Sequence, residues 1–114
     1  MSHFLQIDRA SVTPEIERPD PAKVISGDPV FTTWNIEERE GLYAGIWKST
    51  PGKWRISYDE WEYCRILEGH SVITDSADGR EHHIRAGDSF LLRPGFEGTW
   101  EVIETTAKDY VIRL

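Results

Sequence analysis

The sequence predicts one small all-β domain, a β-sandwich or a jelly-roll barrel. Short apolar or alternating segments recur at close, regular spacing from residue 30 onward, which is typical of antiparallel β-architectures. Turn residues separate these segments, and helical periodicity is confined to one short stretch. The chain has 114 residues, which is enough for one hydrophobic core and too few for a second.

Residues 1–29 are predicted to form an extended N-terminal arm. Proline stops a helix and lacks the backbone donor that a sheet needs. Four of the six prolines of the chain lie in this segment: Pro14, Pro19, Pro21 and Pro29. One short strand is expected near Phe4–Ile7. The arm either lies over the domain or a neighbouring subunit, or is a partly disordered leader.

Residues 30–114 are predicted to form the barrel, with one short helical turn around Asn35–Glu40. Apolar or alternating segments predict strands over residues 42–47, 54–58, 60–67, 71–74, 89–92, 99–104 and 109–114. A tight turn at Glu68-Gly69 is expected to join the third and fourth of these strands. Asp78-Gly79 predicts a hairpin, since both central residues of that turn take positive φ. Pro94-Gly95 suits a type II turn.

Composition narrows the possible partners and the compartment. The net charge of −7 is spread along the chain and repels phosphate backbones, so no nucleic-acid partner is expected. We see neither an apolar run long enough to cross a membrane nor a secretory signal. Cys64 is the only cysteine, so no internal disulfide is expected, which fits a cytoplasmic location. Five Trp, four Tyr and four Phe indicate a core or a pocket lined with rings.

Two spaced motifs resemble those of a known family. Pro51-Gly52, Glu62 and Gly69 resemble the first cupin motif, and Gly87-Asp88 followed by Pro94-Gly95 resembles the second. The similarity extends over about residues 30–114. Its details resemble a branch of short cupins, which includes the cupin domain of ureidoglycine aminohydrolase and the ethanolamine-utilisation cupin. The resemblance implies a jelly-roll (cupin) β-barrel around one interior pocket and leaves the activity open, because cupins carry many chemistries.

The resemblance also implies where a metal would bind. In metal-binding cupins the first motif supplies two histidines and a glutamate, and the second motif supplies a third histidine. Here Glu62 matches the glutamate, whereas Ile56, Tyr58 and Gly98 stand at the three histidine positions. One carboxylate does not hold a transition ion alone, so neither a metal nor another cofactor is expected. A non-standard site of Glu62, Tyr58 and Cys64 stays open, and its thiolate would favour zinc.

The expected pocket places one carboxylate among aromatic rings. A desolvated carboxylate either stays neutral or needs a cation, and Lys108 is the best-placed cation. Glu62 and Tyr58 are therefore candidate catalytic residues, the first as a general acid or base, and a purely structural hydrogen bond between them is the equal alternative. Cys64 is expected to be an inert buried thiol rather than a nucleophile. The candidate ligand-binding residues are Trp47, Trp54, Tyr58, Glu62, Cys64, His82, Trp100 and Lys108.

The histidines give only one candidate. By strand register His82 faces inward and His83 outward, so these neighbours cannot chelate one ion from the same side. His70 is placed in a turn and His3 in the arm, and neither has a partner in view from the sequence.

Three functions compete. A small-molecule-binding cupin without a metal is favoured, because three metal ligands are missing while Glu62 and the rings are present. A metal-dependent enzyme resembling ureidoglycine aminohydrolase is the alternative, and a sugar isomerase or epimerase would rest on fold analogy alone. A homodimer is also predicted, because Trp61, Tyr63 and Leu67 would form an outward apolar stripe.

Overall fold

The structure confirms an all-β jelly-roll domain. The computed structural model describes residues 3–114, and their strands form one curled, antiparallel sheet. Two short 3₁₀ turns, Arg9–Ser11 and Pro21–Lys23, lie in the arm. The strands within the described residues are β1 (Glu15–Glu17), β2 (Val24–Gly27), β3 (Phe31–Arg39), β4 (Leu42–Ser49), β5 (Gly52–Ser57), β6 (Trp61–Asp75), β7 (Glu81–Arg85), β8 (Ser89–Leu92) and β9 (Glu97–Arg113). No helix among these residues is long and apolar enough to cross a membrane.

Two long strands organise the barrel. β9 pairs with β5 through its first half, with β4 through its second half, and with β6 along its other edge. β6 in turn pairs with β8 and then with β7. Because β9 crosses from one wall to the other, it carries both Trp100 and Lys108 to the same interior.

Strand alternation decides which side chains enter the barrel. On β6 the residues Glu62, Cys64 and Ile66 are buried, whereas Arg65 and Leu67 between and after them are exposed. This period of two is what a strand with one face on a core produces. Of these inward residues, Ile66 belongs to the apolar core cluster, which is formed by Trp54, Ile66, Ile73, Ile84, Leu92, Trp100 and Val102.

The helical turn predicted around Asn35–Glu40 is wrong. Strand β3 continues to Arg39, and a two-residue turn at Glu40-Gly41 returns the chain to β4 with φ of 51° and 79°. Both central residues with positive φ are the signature of a type I′ hairpin. Pairing with β4 therefore outweighs the local preference of a Glu-rich segment for helix.

The tight turn predicted at Glu68-Gly69 is also wrong, because β6 runs without a break from Trp61 to Asp75. Gly69 instead has φ of 92° at a register shift, where the ladder with β9 skips residues. The hairpin at Asp78-Gly79 is present between β6 and β7, but only Gly79 of that pair has positive φ. Gly95 has φ of 94°, as a type II turn at Pro94-Gly95 requires.

The arm adds strands to the sheet at different places from the one predicted. No strand forms at Phe4–Ile7, whereas β1 pairs with β3 and β2 pairs with β5. Farther back, the Arg9 guanidinium lies over the Trp34 ring, 4.9 Å from its centre. The arm therefore contacts its own barrel through Arg9, β1 and β2. The boundary between arm and barrel at residue 30 stays a prediction.

The predicted dimer face is partly exposed. Trp61 and Tyr63 are half-buried on β6, and Leu67 retains 38% of its surface accessible. The homodimer stays a prediction.

Candidate ligand-binding site

A cavity of about 410 Å³ opens into the barrel between β3, β4, β5, β6 and β9. Its size lies within the range of small-molecule sites. Aromatic rings form much of its wall, and its polar side chains come from several strands. The lining residues are Glu15, Phe31, Thr33, Asn35, Glu38, Tyr43, Trp47, Trp54, Ile56, Tyr58, Glu60, Glu62, Trp100, Lys108, Tyr110 and Ile112.

The rings pack against one another and not only against the core. Phe31 contacts Trp54 with ring centres 4.8 Å apart, and Trp47 meets Trp100 edge-on at 5.4 Å. Trp54 and Trp100, which are directly opposite on β5 and β9, lie nearly parallel at 6.4 Å. Such mutual contacts fix large rings in place, which keeps the cavity wall preformed.

A buried ion pair lies at the base of the cavity. The Lys108 Nζ donates to Glu62 Oε2 at 2.9 Å, and the two side chains are only 5% and 3% exposed. The same ammonium lies 4.8 Å from the centre of the Trp47 ring and 4.6 Å from that of Trp100. The carboxylate and the two ring faces thus replace the water that burial removes from the cation.

The ammonium stays charged in this position. Burial alone would lower the pKa of Lys108, but the acidic groups of Cys64, Glu62 and Tyr58 around it raise that pKa above its usual value. The expected partnership between Lys108 and Glu62 is therefore confirmed as an ion pair. Lys108 is not a candidate for a neutral amine nucleophile at neutral pH, because such a nucleophile needs a lowered pKa.

Tyr58 enters the cavity from the segment between β5 and β6. Its backbone accepts from the Gly95 amide at 2.6 Å and donates to the Phe96 carbonyl at 2.9 Å, so the Pro94-Gly95 turn holds it. Burial raises the pKa of Tyr58 well above its usual value; the Lys108 charge opposes the rise and Glu62 adds to it. The phenol therefore stays protonated and available as a hydrogen-bond donor.

Asn35 and Tyr110 form a second polar contact that the sequence did not predict. The Tyr110 hydroxyl donates to Asn35 Oδ1 at 2.7 Å. Burial raises the pKa of Tyr110 to about 12, with Lys108 opposing and Glu62 and Glu15 adding. Tyr110 was detectable, because it lies two residues from Lys108 on the same strand face. Asn35 could not be identified from the sequence, because the helical turn predicted there did not place its side chain on the inward face of a strand.

Cys64 lies behind the ion pair and does not line the cavity. It is fully buried, and its Sγ is 3.5 Å from Lys108 Nζ. Burial raises the pKa of the Cys64 thiol to about 12, although the Lys108 charge opposes this rise. A positive neighbour is therefore present, yet desolvation outweighs it.

Native Cys64 is therefore expected to resist alkylation. With a pKa of about 12, a fraction of only ~10⁻⁴ is thiolate at pH 8, and the thiolate is the reactive form. Iodoacetamide labelling followed by intact-mass measurement should be at least ~100-fold slower in native protein than in urea, and should accelerate as the pH rises. Equal rates in both states would contradict this, because they would show that Cys64 is accessible and as reactive as an unfolded thiol.

The residues at the expected metal position do not fit a metal. Ile56 and Tyr58 line the cavity beside Glu62, so the predicted convergence is present. The ammonium of Lys108 already lies against the Glu62 carboxylate, where a cation would bind. At Gly98, a Cβ atom would collide with the Thr74 carbonyl oxygen, which leaves no room for a side chain. Residues 3–114 contain no cluster of three or more His, Cys, Asp or Glu side chains suited to a metal.

The histidines lie outside this cavity. His82 on β7 is exposed and borders a separate depression with Ile73 and Ile84. His70 is not in a turn: it lies on β6, with its Nε2 3.0 Å from His83 Nδ1. Of the eight candidate binding residues, the structure therefore brings six together around the cavity: Trp47, Trp54, Tyr58, Glu62, Trp100 and Lys108.

Comparison with known proteins identifies the family. The family model of the EutQ-like cupin domain matches residues 36–110. No curated protein matches the chain. The matched residues include most of the cavity wall, from Glu38 on β3 to Tyr110 on β9.

Solved structures agree on the fold. A DUF861 protein of unknown function from Pseudomonas syringae is 26% identical with a TM-score of 0.82; the alignment covers 93% of this chain and 46% of that one. The EutQ protein of Clostridium difficile is 17% identical with a TM-score of 0.67, covering 75% and 63%. A DUF861 protein from Thermotoga maritima is 25% identical with a TM-score of 0.54, covering 86% and 97%. The chain thus spans about half the length of the Pseudomonas protein. It belongs to the family of EutQ-like cupin domains.

Proposed function

We propose that this domain binds a small neutral or positively charged organic molecule in the barrel cavity. The observation that carries the proposal is the preformed, ring-walled cavity of about 410 Å³ with the Glu62–Lys108 pair at its base. Sites for small molecules combine such apolar walls with a few fixed polar groups.

The charges around the cavity support this choice of ligand. Glu15, Glu38 and Glu60 line it without a paired cation, whereas Lys108, the one cationic side chain among the described lining residues, is already paired with Glu62. The resulting negative potential repels anions. The ring faces add to this preference, because they attract cations and tolerate neutral groups.

The polar groups at the base would orient such a ligand. Lys108 occupies Oε2 of Glu62, which leaves the second carboxylate oxygen as an acceptor. The Tyr58 phenol is a donor, since its raised pKa keeps it protonated. A role of Glu62 and Tyr58 in catalysis is compatible with this arrangement but is not needed for binding.

A metal-dependent enzyme similar to ureidoglycine aminohydrolase is the less supported alternative. It would need a metal ion beside Glu62, where the Lys108 ammonium lies 2.9 Å from the carboxylate. Elemental analysis of protein purified without chelators separates the two proposals, since stoichiometric manganese or zinc that is lost in Glu62→Gln would favour the enzyme.

Filling the cavity should abolish binding. Thr33 lines the cavity, and its neighbour Thr32 on β3 does not, so Thr33→Trp and Thr32→Trp form a matched pair. Binding would be measured by the change in intrinsic tryptophan fluorescence. The probes are amines and carboxylates of equal size, such as phenethylamine and 3-phenylpropionate. Amines are expected to bind at least ~10-fold more tightly than their carboxylate partners, and Thr33→Trp should lose this binding while Thr32→Trp keeps it.

Two outcomes would contradict the proposal. Equal binding by Thr33→Trp and Thr32→Trp would place the ligand outside the cavity. Tighter binding of the carboxylates would overturn the assignment of ligand charge. Circular dichroism of both variants verifies that neither change has unfolded the barrel.

A further inference from the structure

A pair of histidines lies on the outer face of the β6–β7 hairpin, away from the cavity. His70 Nε2 and His83 Nδ1 are 3.0 Å apart, and the ring centres are 5.2 Å apart. In the strand register His70 is opposite Arg85, and His83 is opposite Val72, so the two histidines are diagonal neighbours on one face. Diagonal cross-strand side chains of this length can touch. Two paired strands thus hold both imidazoles in place.

The spacing of the two nitrogens suits a shared metal ion. When two imidazole nitrogens each bind one ion at about 2.0–2.1 Å, the nitrogens lie roughly 2.8–3.4 Å apart. This interval corresponds to nitrogen–metal–nitrogen angles between the square-planar and the tetrahedral value. The observed separation of 3.0 Å falls within this interval. His83 is exposed and His70 is partly exposed, so an ion and its remaining water ligands can reach the pair from solvent.

We propose that His70 and His83 chelate one divalent transition-metal ion of the class that prefers imidazole, with Zn²⁺ and Cu²⁺ as its representatives. Water completes the coordination shell. The ion replaces the proton that the two nitrogens share in the metal-free pair. The imidazole that donates this proton shifts it to its other ring nitrogen, so both rings remain neutral and each presents a lone pair. Small rotations of the two side chains then direct both lone pairs at the ion.

This site is separate from the cupin metal position. It uses neither Glu62 nor any residue of the cavity wall, and it does not depend on the proposed ligand binding. The sequence pattern does not indicate this pair, since the two histidines are 13 positions apart in the chain. The histidine pair that the sequence itself shows is His82-His83, but these two side chains lie on opposite faces of β7.

The test is metal titration of untagged protein by isothermal calorimetry, at a pH above the ordinary histidine pKa. All variants carry His3→Gln, which removes an independent histidine near the chain end. We expect one saturable ion per chain, with Cu²⁺ bound more tightly than Zn²⁺. His70→Gln and His83→Gln should each weaken binding at least ~10-fold, because each removes one of two protein ligands. His82→Gln is the matched control and should bind as the parent does.

Two further measurements make the result decisive. The electron paramagnetic resonance spectrum of the Cu²⁺ complex should show hyperfine coupling to two imidazole nitrogens, and both ions should raise the melting temperature because they bind the folded pair. Unchanged affinity in His70→Gln or His83→Gln, or no saturable binding up to about 1 mM metal, would overturn the proposal. The two positions lie at the surface, and circular dichroism verifies that the variants are folded.

Discussion

Replacing Lys108 by methionine is expected to lower the free energy of unfolding by about 3–5 kcal/mol. The ammonium is 2.9 Å from a carboxylate that is only 3% exposed, so its removal leaves the Glu62 charge buried without a cation. Methionine retains much of the packing against Trp47 and Trp100 but supplies no charge. Urea denaturation followed by tryptophan fluorescence measures the loss.

A double replacement separates the charge from the packing. Lys108→Met combined with Glu62→Leu should recover most of the lost stability, because replacing a whole buried pair with apolar residues is often neutral. Lys23→Met in the exposed arm is the control, and it should change stability by less than about 0.5 kcal/mol. A Lys108→Met protein as stable as this control would mean that the ion pair is not buried as described.

Replacing Gly98 by alanine is expected to cost at least about 3 kcal/mol, the upper end of overpacking penalties. Gly98 lies between Ile56 on β5 and Asp75 on β6 in the ladder. An added Cβ would meet the Thr74 carbonyl oxygen and lie 3.2 Å from the Phe96 ring. Backbone cannot move aside as a flexible side chain can, so the strands would have to separate. Chemical denaturation gives the difference.

Gly79→Ala provides the comparison for this experiment. Gly79 has φ of 72° and no atom within 4 Å of an added Cβ, so the change there costs about 1 kcal/mol from backbone strain alone. Equal stability of the two alanine variants would refute the close approach at Gly98. It would also mean that a Cβ atom can be accommodated at this position.

Much of the site was predictable because strands alternate. The period of two placed Glu62 on one face of β6, and the cupin resemblance implied that this face is inward, near Trp100 and Lys108. The structure shows all three residues on the cavity wall. The motif spacing placed Ile56 and Tyr58 beside them. Strand parity decided which residues share a face, and the cupin motifs decided which face is inward.

Other features depended on partners that are distant in the chain. Glu40 takes a positive φ that its residue type rarely adopts, because pairing between β3 and β4 requires the turn there. Gly69 marks a shift in pairing with β9 rather than the end of a strand. His70 is a neighbour of His83 because β6 continues through the position of the expected turn.

The sequence by itself determined the fold class, the family resemblance and the inward set of rings around one carboxylate. Strand periodicity and the spaced motifs are sufficient for these, because burial on one face imposes a period of two on every strand and the motifs indicate which face is inward. Only the tertiary structure decided that Lys108 and Glu62 are in direct contact with both charges buried, that Gly98 has no space for a ligand side chain, and that two histidines meet outside the barrel. Each depends on distances between strands far apart in sequence, which cross-strand register and sheet curvature set and which no local pattern encodes.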